Sequence, residues 1–469
     1  MSATDVYSPT SMPQEMNYAL PASLPAAKTF EVRIQPTNGS SFVSGNVLQI
    51  DLPCGKRGQY LDCSTTYLKF KATFTHSGGA LNGADFSCLI GSAFSFFQKA
   101  EVYGNNSVTL ESINEYGVLA NMLCNIQLNP CDKNGLAPAF GFSDNVNAST
   151  SCQGHYINYN AFNGLTFSYA IPIIGILGSG CDKFIPIGDF YSLRYELTMD
   201  AYGNFTVPLV QTAAGLVTGC TISEVEFCGQ VVELDASPQA MIEQSNPDKI
   251  YIRANSYRTA TNYLPAQSNG LNDVLIGTRV SSLKSMYMTC APANAIEKKF
   301  SSVCPNLTQG SCFVLAGQNL PQRTLNPINH PADCYLELQK AMNALSTANF
   351  NGSINKTGYY TSSTAQGLMT AYSTAVTAST TSAGAGSAVV PALANIWTAP
   401  NMFVLAVNAE SVAHRGGLLS GININSAPSF FRAQINSALS NNSHTLYFFA
   451  YHDVIIEIDR RAKTIISKF

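Results

Sequence analysis

Charge is scarce in this 469-residue chain: only 12% of the residues are Asp, Glu, Lys or Arg, whereas 46% are hydrophobic. An average soluble protein has about 25% charged residues, so much of this surface is expected to be uncharged or covered by partners. Basic residues are also too few to attract polyanions, because 26 Lys and Arg face 29 Asp and Glu for a net charge of -3. Direct binding of nucleic acid is therefore not expected.

Targeting and membrane-spanning signals are missing as well. Residues 1–29 have no basic residue before Lys28 and no apolar core, so we expect an extended or disordered arm and not a secretory signal. No run approaches the roughly 18 consecutive apolar residues of a transmembrane helix. The 13 cysteines include no CxxC pair and no zinc spacing. Without a secretory signal, they are expected to be free thiols packed in the core.

Catalytic motifs are absent too. The sequence contains no GxSxG, no P-loop and no GxGxxG, and its six histidines show no metal-ligand spacing. His452 and Asp453 are adjacent in a predicted strand, so their side chains point to opposite faces. We therefore predict no catalytic, cofactor-binding or metal-binding residues. The single tryptophan, Trp397, also leaves little from which to build an aromatic carbohydrate platform.

What the sequence does contain is alternation of apolar and polar residues. The pattern predicts strands that bury one face and expose the other, which is typical of antiparallel sheets. The clearest examples are residues 30–34, 47–52, 67–74 and 193–200.

Short helices are predicted only in the connections. Ser112 and Glu115 have the spacing of a capping box, which predicts a helix over about 113–127. A second helical rhythm of apolar residues covers about 331–345. Ser237 followed by Pro238 is typical of an N-cap and a first-turn proline, and predicts a short helix over 239–244.

An internal repeat is the strongest signal. Residues 221–235 (TISEVEFCGQVVELD) align without a gap on residues 445–459 (TLYFFAYHDVIIEID). A strand carrying an arginine, Arg194 or Arg432, precedes each segment. We infer a duplicated all-β unit of about 200 residues. The identical pairs in the alignment are Thr221 with Thr445, Glu233 with Glu457, and Asp235 with Asp459.

The repeat and its join divide the chain into two β-sandwiches and three smaller parts. The second sandwich contains a tract over about 357–396 that is rich in Ser, Thr, Ala and Gly, and we predict an outward-facing loop insertion there. The predicted parts are the arm over 1–29, a first sandwich over 30–236, a linker helix within 237–247, a second sandwich over 248–460, and a C-terminal tail over 461–469.

Two sandwiches joined by a short helix, with closing strands at 221–235 and 445–459, resemble the double jelly-roll major capsid proteins of tailless icosahedral DNA viruses. The segment 96–113 (FFQKAEVYGNNSVTLESI) is most similar to the polinton-like virus and virophage branch. The resemblance implies an all-β fold of two tandem eight-stranded jelly-roll β-sandwiches with short helices in connecting loops. It also implies a homotrimeric, pseudo-hexameric capsomer that tiles an icosahedral shell.

The same resemblance implies a virion protein that is made in the host cytoplasm without a secretory signal. It implies no enzymatic activity and no cofactor, and its partners would be other copies of the chain together with penton and minor capsid proteins. Arg323 and the cluster of Arg460, Arg461 and Lys463 are the notable basic residues, and the cluster is expected to be solvated or to contact a neighbouring subunit.

Two alternatives stay open at this point. One is a single-jelly-roll minor capsid, penton or spike protein, against which the internal repeat argues. The other is a carbohydrate-binding or hydrolytic β-sandwich protein, which would need a cleft with an aromatic platform or a pair of carboxylates.

Overall fold

The computed structural model describes most of both predicted sandwiches. The predicted loop over 357–396 and residues 1–26 of the predicted arm lie outside the described residues. None of the helices in the described part is long and apolar enough to cross a bilayer. The described residues are 27–76, 87–90, 92–128, 130–141, 155–158, 166–181, 183–208, 217–265, 270–292, 302, 307, 310–327, 329–343, 403–410, 419–435, 443–462 and 464–468.

The strands of the first half form two large antiparallel sheets and one small sheet. They are β1 (Ala27–Ile34), β2 (Ser41–Val43), β3 (Val47–Leu52), β4 (Gln59–His76), β5 (Ser87–Ile90), β6 (Phe97–Tyr103), β7 (Thr109–Asn114), β8 (His155–Asn158), β9 (Thr166–Pro172), β10 (Leu193–Met199), β11 (Thr206–Pro208) and β12 (Val217–Leu234). The large sheets have the orders β1-β12-β4-β9, with β2 also on β12, and β3-β10-β6-β7, and the small sheet is β11-β5-β8.

The strands of the second half repeat this arrangement. They are β13 (Lys249–Leu264), β14 (Gly270–Ile276), β15 (Leu283–Pro292), β16 (Ser311–Leu315), β17 (Gln318–Leu325), β18 (Leu405–Asn408), β19 (Ser429–Ile435), β20 (His444–Asp459) and β21 (Thr464–Lys468). Their sheets have the orders β13-β20-β15-β18, with β21 also on β20, and β14-β19-β16-β17.

Both halves are therefore jelly rolls. In each half, eight main strands divide so that the first, eighth, third and sixth form one sheet and the second, seventh, fourth and fifth form the other. This is the strand order of a double-sheet jelly roll. The predicted fold class, two tandem eight-stranded jelly-roll β-sandwiches with helices in the connections, is confirmed.

A helix follows the fifth main strand in each half. The described helices are α1 (Tyr116–Gln127), α2 (Pro130–Phe140), α3 (Tyr202–Phe205), α4 (Ala236–Ser245) and α5 (Pro331–Ala341). The predicted capping box is wrong, because Ser112 lies in β7 and its hydroxyl donates to a Glu101 carboxylate oxygen at 3.2 Å. The helix begins at Tyr116, after Glu115 turns the chain with a φ of 52°.

The segment between the halves also differs in detail from the prediction. The residue before α4 is Asp235 and not Ser237, so Pro238 lies in the first turn, where its missing N–H has no helical partner to lose. At the C-terminus, the segment predicted as a tail contains β21, which pairs with the end of β20 from Ile455 to Asp459. The second jelly roll thus extends past residue 460.

The predicted alternation of apolar and polar residues identifies the side chains that form the core. In β3 and β10 every second side chain is buried, so Leu48, Ile50 and Leu197 face the opposite sheet. The expected apolar face of β1 is covered only in part, since Phe30 is 40% exposed. The reason is that β1 is the last strand of its sheet, with no further strand beside it among the described residues.

Candidate functional site

The two jelly rolls contact each other along a seam between strand edges. On one side lie β7 and the loop that follows β9, and on the other side lies β13, the edge strand of the second half. The Asn255 N–H donates to the Gly180 carbonyl at 2.7 Å, and the Thr259 hydroxyl donates to the Asn114 carbonyl at 2.7 Å. These bonds satisfy edge groups that would otherwise face water or another chain.

Glu111 lies at the centre of this seam and is fully buried. The Ile176 N–H donates to one carboxylate oxygen at 3.0 Å, and the Ser256 hydroxyl from the second half donates to the other. Burial raises the pKa of Glu111 to about 7, while both hydrogen bonds oppose that rise. The seam therefore holds a carboxyl group whose charge changes near neutral pH.

Two glycines allow close packing at the seam. Gly175 has a φ of +108°, and a side chain there would overlap the Glu111 carboxylate. A side chain at Gly180 would overlap the carbonyl oxygen of Asn255. Only glycine fits at such close approaches, so the sequence of this loop is tied to the contact between the halves.

Arg460 makes a second contact between the halves. Its guanidinium lies 2.9 Å from a carboxylate oxygen of Asp189 and donates to the Asn246 carbonyl at 2.9 Å. Only 12% of its side chain is exposed, so the predicted solvation of Arg460 is wrong. Arg461 is 77% exposed and pairs with Asp248, whereas Lys463 lies outside the described residues.

A polar cleft of about 440 Å³ opens beside Arg460. Its carboxylates are already engaged: Asp189 holds Arg460, and Glu243 pairs with Arg57 at 2.5 Å. The Arg57 guanidinium lowers the pKa of Glu243 to about 2. A carboxylate held ionised in this way is poorly suited to general acid catalysis at neutral pH. The lining residues are Gly55, Gly188, Asp189, Phe190, Tyr191, Glu243, Pro247 and Arg460.

The adjacent pair His452 and Asp453 is buried in β20. Arg253 donates to Asp453 at 2.8 Å and the Ser282 hydroxyl donates to it at 2.7 Å. Burial lowers the pKa of His452 to about 4, so the imidazole is neutral at pH 7. Within the described residues, no group of three His, Cys, Asp or Glu could hold a metal ion. Nine cysteines in the described part of the chain form no disulfide, and all of them except Cys54 are buried.

The internal repeat extends to an ion pair in each half. Arg194 on β10 donates to Asp51 on β3 at 2.7 Å, and Arg432 on β19 donates to Asp273 on β14 at 2.8 Å. In both halves the two residues are direct partners across the same pair of strands. The sequence alignment found the arginines and missed the aspartates, which it could have found by searching the second strand of each half.

Two other terminal strands, β17 and β1, have no strand beyond them among the residues that the structure describes. β17 corresponds to β7 as the fifth main strand of its half, and β1 corresponds to β13 as the first. In β7 the side chains of Leu110, Glu111 and Ile113 are buried. Most side chains of β17 are instead exposed or partly exposed, and so are all of those of β1. The exposed residues of these two strands are Lys28, Thr29, Phe30, Glu31, Arg33, Gln318, Asn319, Gln322, Arg323 and Thr324.

Comparison with known sequences returns no matching family model and no matching curated protein. Solved structures do match. The Faustovirus major capsid protein is 10% identical with a TM-score of 0.57, over 95% of this chain and 92% of that chain. PBCV-1 VP54, as fitted into a reconstruction of the virophage Sputnik, is 8% identical with a TM-score of 0.55, over 96% and 98%. The mavirus major capsid protein is 10% identical with a TM-score of 0.52, over 98% and 95%.

At identities this low, the matches concern the fold. They cover nearly the whole of each chain, so both jelly rolls and their order along the chain are shared. The protein therefore has the double jelly-roll fold seen in these viral major capsid proteins.

Proposed function

We propose that this protein is a viral major capsid protein, whose homotrimers have a pseudo-hexameric outline and tile an icosahedral shell. The observation that supports this is the end-to-end match with the Faustovirus and mavirus major capsid proteins, which covers at least 92% of each chain. A shared fold alone is compatible with several functions. Further support for a capsid function must therefore come from the surface composition and from the oligomeric state.

The architecture suits a shell-building role. Two similar sandwiches lie side by side in each chain, so three chains around an axis present six similar units. Such a block tiles a surface almost hexagonally, although its true symmetry is threefold. The low share of charged residues, 12%, also fits extensive contacts between subunits, because the centres of interfaces are depleted in charge.

We infer a structural role and no enzymatic one. The cleft beside Arg460 has its carboxylates engaged in ion pairs, which does not favour hydrolysis. The single-jelly-roll alternative does not fit a chain with two complete sandwiches. No observation favours carbohydrate binding, and Trp397 lies outside the described residues.

The expected partners are other copies of the chain, and penton and minor capsid proteins in the virion. The net charge of -3 supports no direct binding of nucleic acid, so packaging would depend on other components. The host cytoplasm is the proposed place of synthesis.

The test is the oligomeric state and outline of the purified protein. Light scattering after gel filtration should give three times the mass of one chain, and negative-stain images should show particles of hexagonal outline. A monomer that persists at every concentration would remove the proposal.

A further inference from the structure

We propose that β17 of one copy docks against β1 of the next copy and so repeats, between chains, the seam that β7 and β13 form within a chain. This inference rests on the proposed trimer and adds which surfaces meet. Both exposed edges are the counterparts of edges that already bind each other in the structure.

The repeat also indicates which residues face each other. The aligned segments 221–235 and 445–459 equate Cys228 with His452, whose partners on the first strands are Arg33 and Ser256. Arg33 therefore occupies the position of Ser256, the residue that reaches Glu111 across the seam.

The other side of the seam follows from the two arginines that the repeat equates. Tyr195 comes directly after Arg194 and pairs with Val102. Ala433 comes directly after Arg432 and pairs with Ser311. Val102 in turn pairs with Glu111, and Ser311 pairs with Leu325. The end of β17 at Leu325 thus occupies the position of Glu111, and we expect Arg33 of the next copy beside it.

The edges of β1 and β17 are exposed in the single chain and are suited to binding another chain. Phe30 is 40% exposed and Arg323 is 74% exposed, on strands whose outer edges have no neighbouring strand in the described part of the chain. Exposed strand edges favour pairing with another chain unless they are blocked. Each copy offers one edge of each kind, so the contact is head to tail, and in the proposed trimer three such contacts would form a closed ring.

The experiment uses two full-length variants that each block one edge. The β1-edge variant carries Phe30→Glu and Arg33→Glu, and the β17-edge variant carries Gln322→Glu and Thr324→Glu. The matched control is Met241→Glu, because Met241 is 66% exposed on the helix α4 and lies on no strand edge. Light scattering gives the mass of each variant alone and of an equimolar mixture.

We expect each edge variant alone to be a monomer, and the control and the wild type to be trimers. The mixture should give a dimer, because the intact β17 of one variant can bind the intact β1 of the other, while the ring cannot close. Edge variants that stay trimeric would overturn the inference and leave the trimer proposal standing. A monomeric wild type would instead remove the proposed function.

A second measurement covers variants that fail to fold. In the wild-type trimer, hydrogen exchange of the backbone amides in β1 and β17 should be as slow as in β7 and β13. Fast exchange in either β1 or β17 of a trimer would overturn the inference without any substitution.

Discussion

At the scale of single residues, Glu111 makes the stability of the seam depend on pH. Its folded pKa of about 7 lies above its ordinary value of 4.5, so the folded chain keeps a proton that the unfolded chain releases. The stabilisation is complete below pH 4.5 and is lost as pH rises through 7, by up to about 3 kcal/mol if the whole shift is realised. Chemical denaturation between pH 5 and pH 8 should show this loss.

Replacing the carboxyl group tests the assignment. Glu111→Gln should flatten the pH dependence and be more stable than the wild type at pH 8, because the amide carries no charge. Glu224→Gln is the control, since that side chain is 62% exposed and forms a surface pair with Lys71. An unchanged slope in Glu111→Gln would show that another group titrates in this range.

Gly175 is the second sensitive residue. Gly175→Ala should lower the free energy of unfolding by about 2 kcal/mol or more, because the added carbon meets the Glu111 carboxylate at a left-handed φ. Gly203→Ala is the matched control, since nothing lies within 4 Å of a side chain there. Thermal melting compares the two, and equal melting temperatures would contradict the role of Gly175 in the close approach.

At the scale of elements, β12 and the tract before β18 should respond oppositely to deletion. Removing residues 225–234 should abolish folding, because β12 is central in its sheet and pairs with both β1 and β4. Replacing residues 362–386, which lie outside the described residues, with a short linker should leave the subunit folded, since loop-closure entropy changes slowly with length. Circular dichroism and thermal melting decide, and unfolding of the loop variant would place that tract in the core.

Sequence patterns predicted some elements well and others poorly, for physical reasons. The alternation in β3 and β10 is strong because each strand has one buried face and one solvated face. The capping box predicted at Ser112 was wrong because it is a local pattern. Ser112 instead lies in β7, which pairs with β6. The burial of Arg460 depends on Asp189, a residue far away in the sequence, so no local pattern could have indicated it.

At the scale of the whole molecule, the sequence predicted two like units but not how they meet. The repeat was visible because the eighth strand of each half is long and lies inside its sheet, so the two strands bury apolar residues at matching positions. The seam was not visible, because Glu111 and Ser256 are ordinary residues in their own strands and become partners only across the two halves. A single sequence therefore gives little indication of which residues contact each other between two folded units.

In each jelly roll, the start of the first main strand lies beside the end of the eighth main strand. Ala27 is paired with Leu234 in the first half, and Lys249 is paired with Asp459 in the second. A unit whose two ends are neighbours can be copied, inserted or reordered along a gene with little more than a short connector such as α4. The folding of each half is therefore not expected to depend on the order of the two halves along the chain. A circular permutant that starts with the second jelly roll and continues into the first could present the same strand edges to its neighbours.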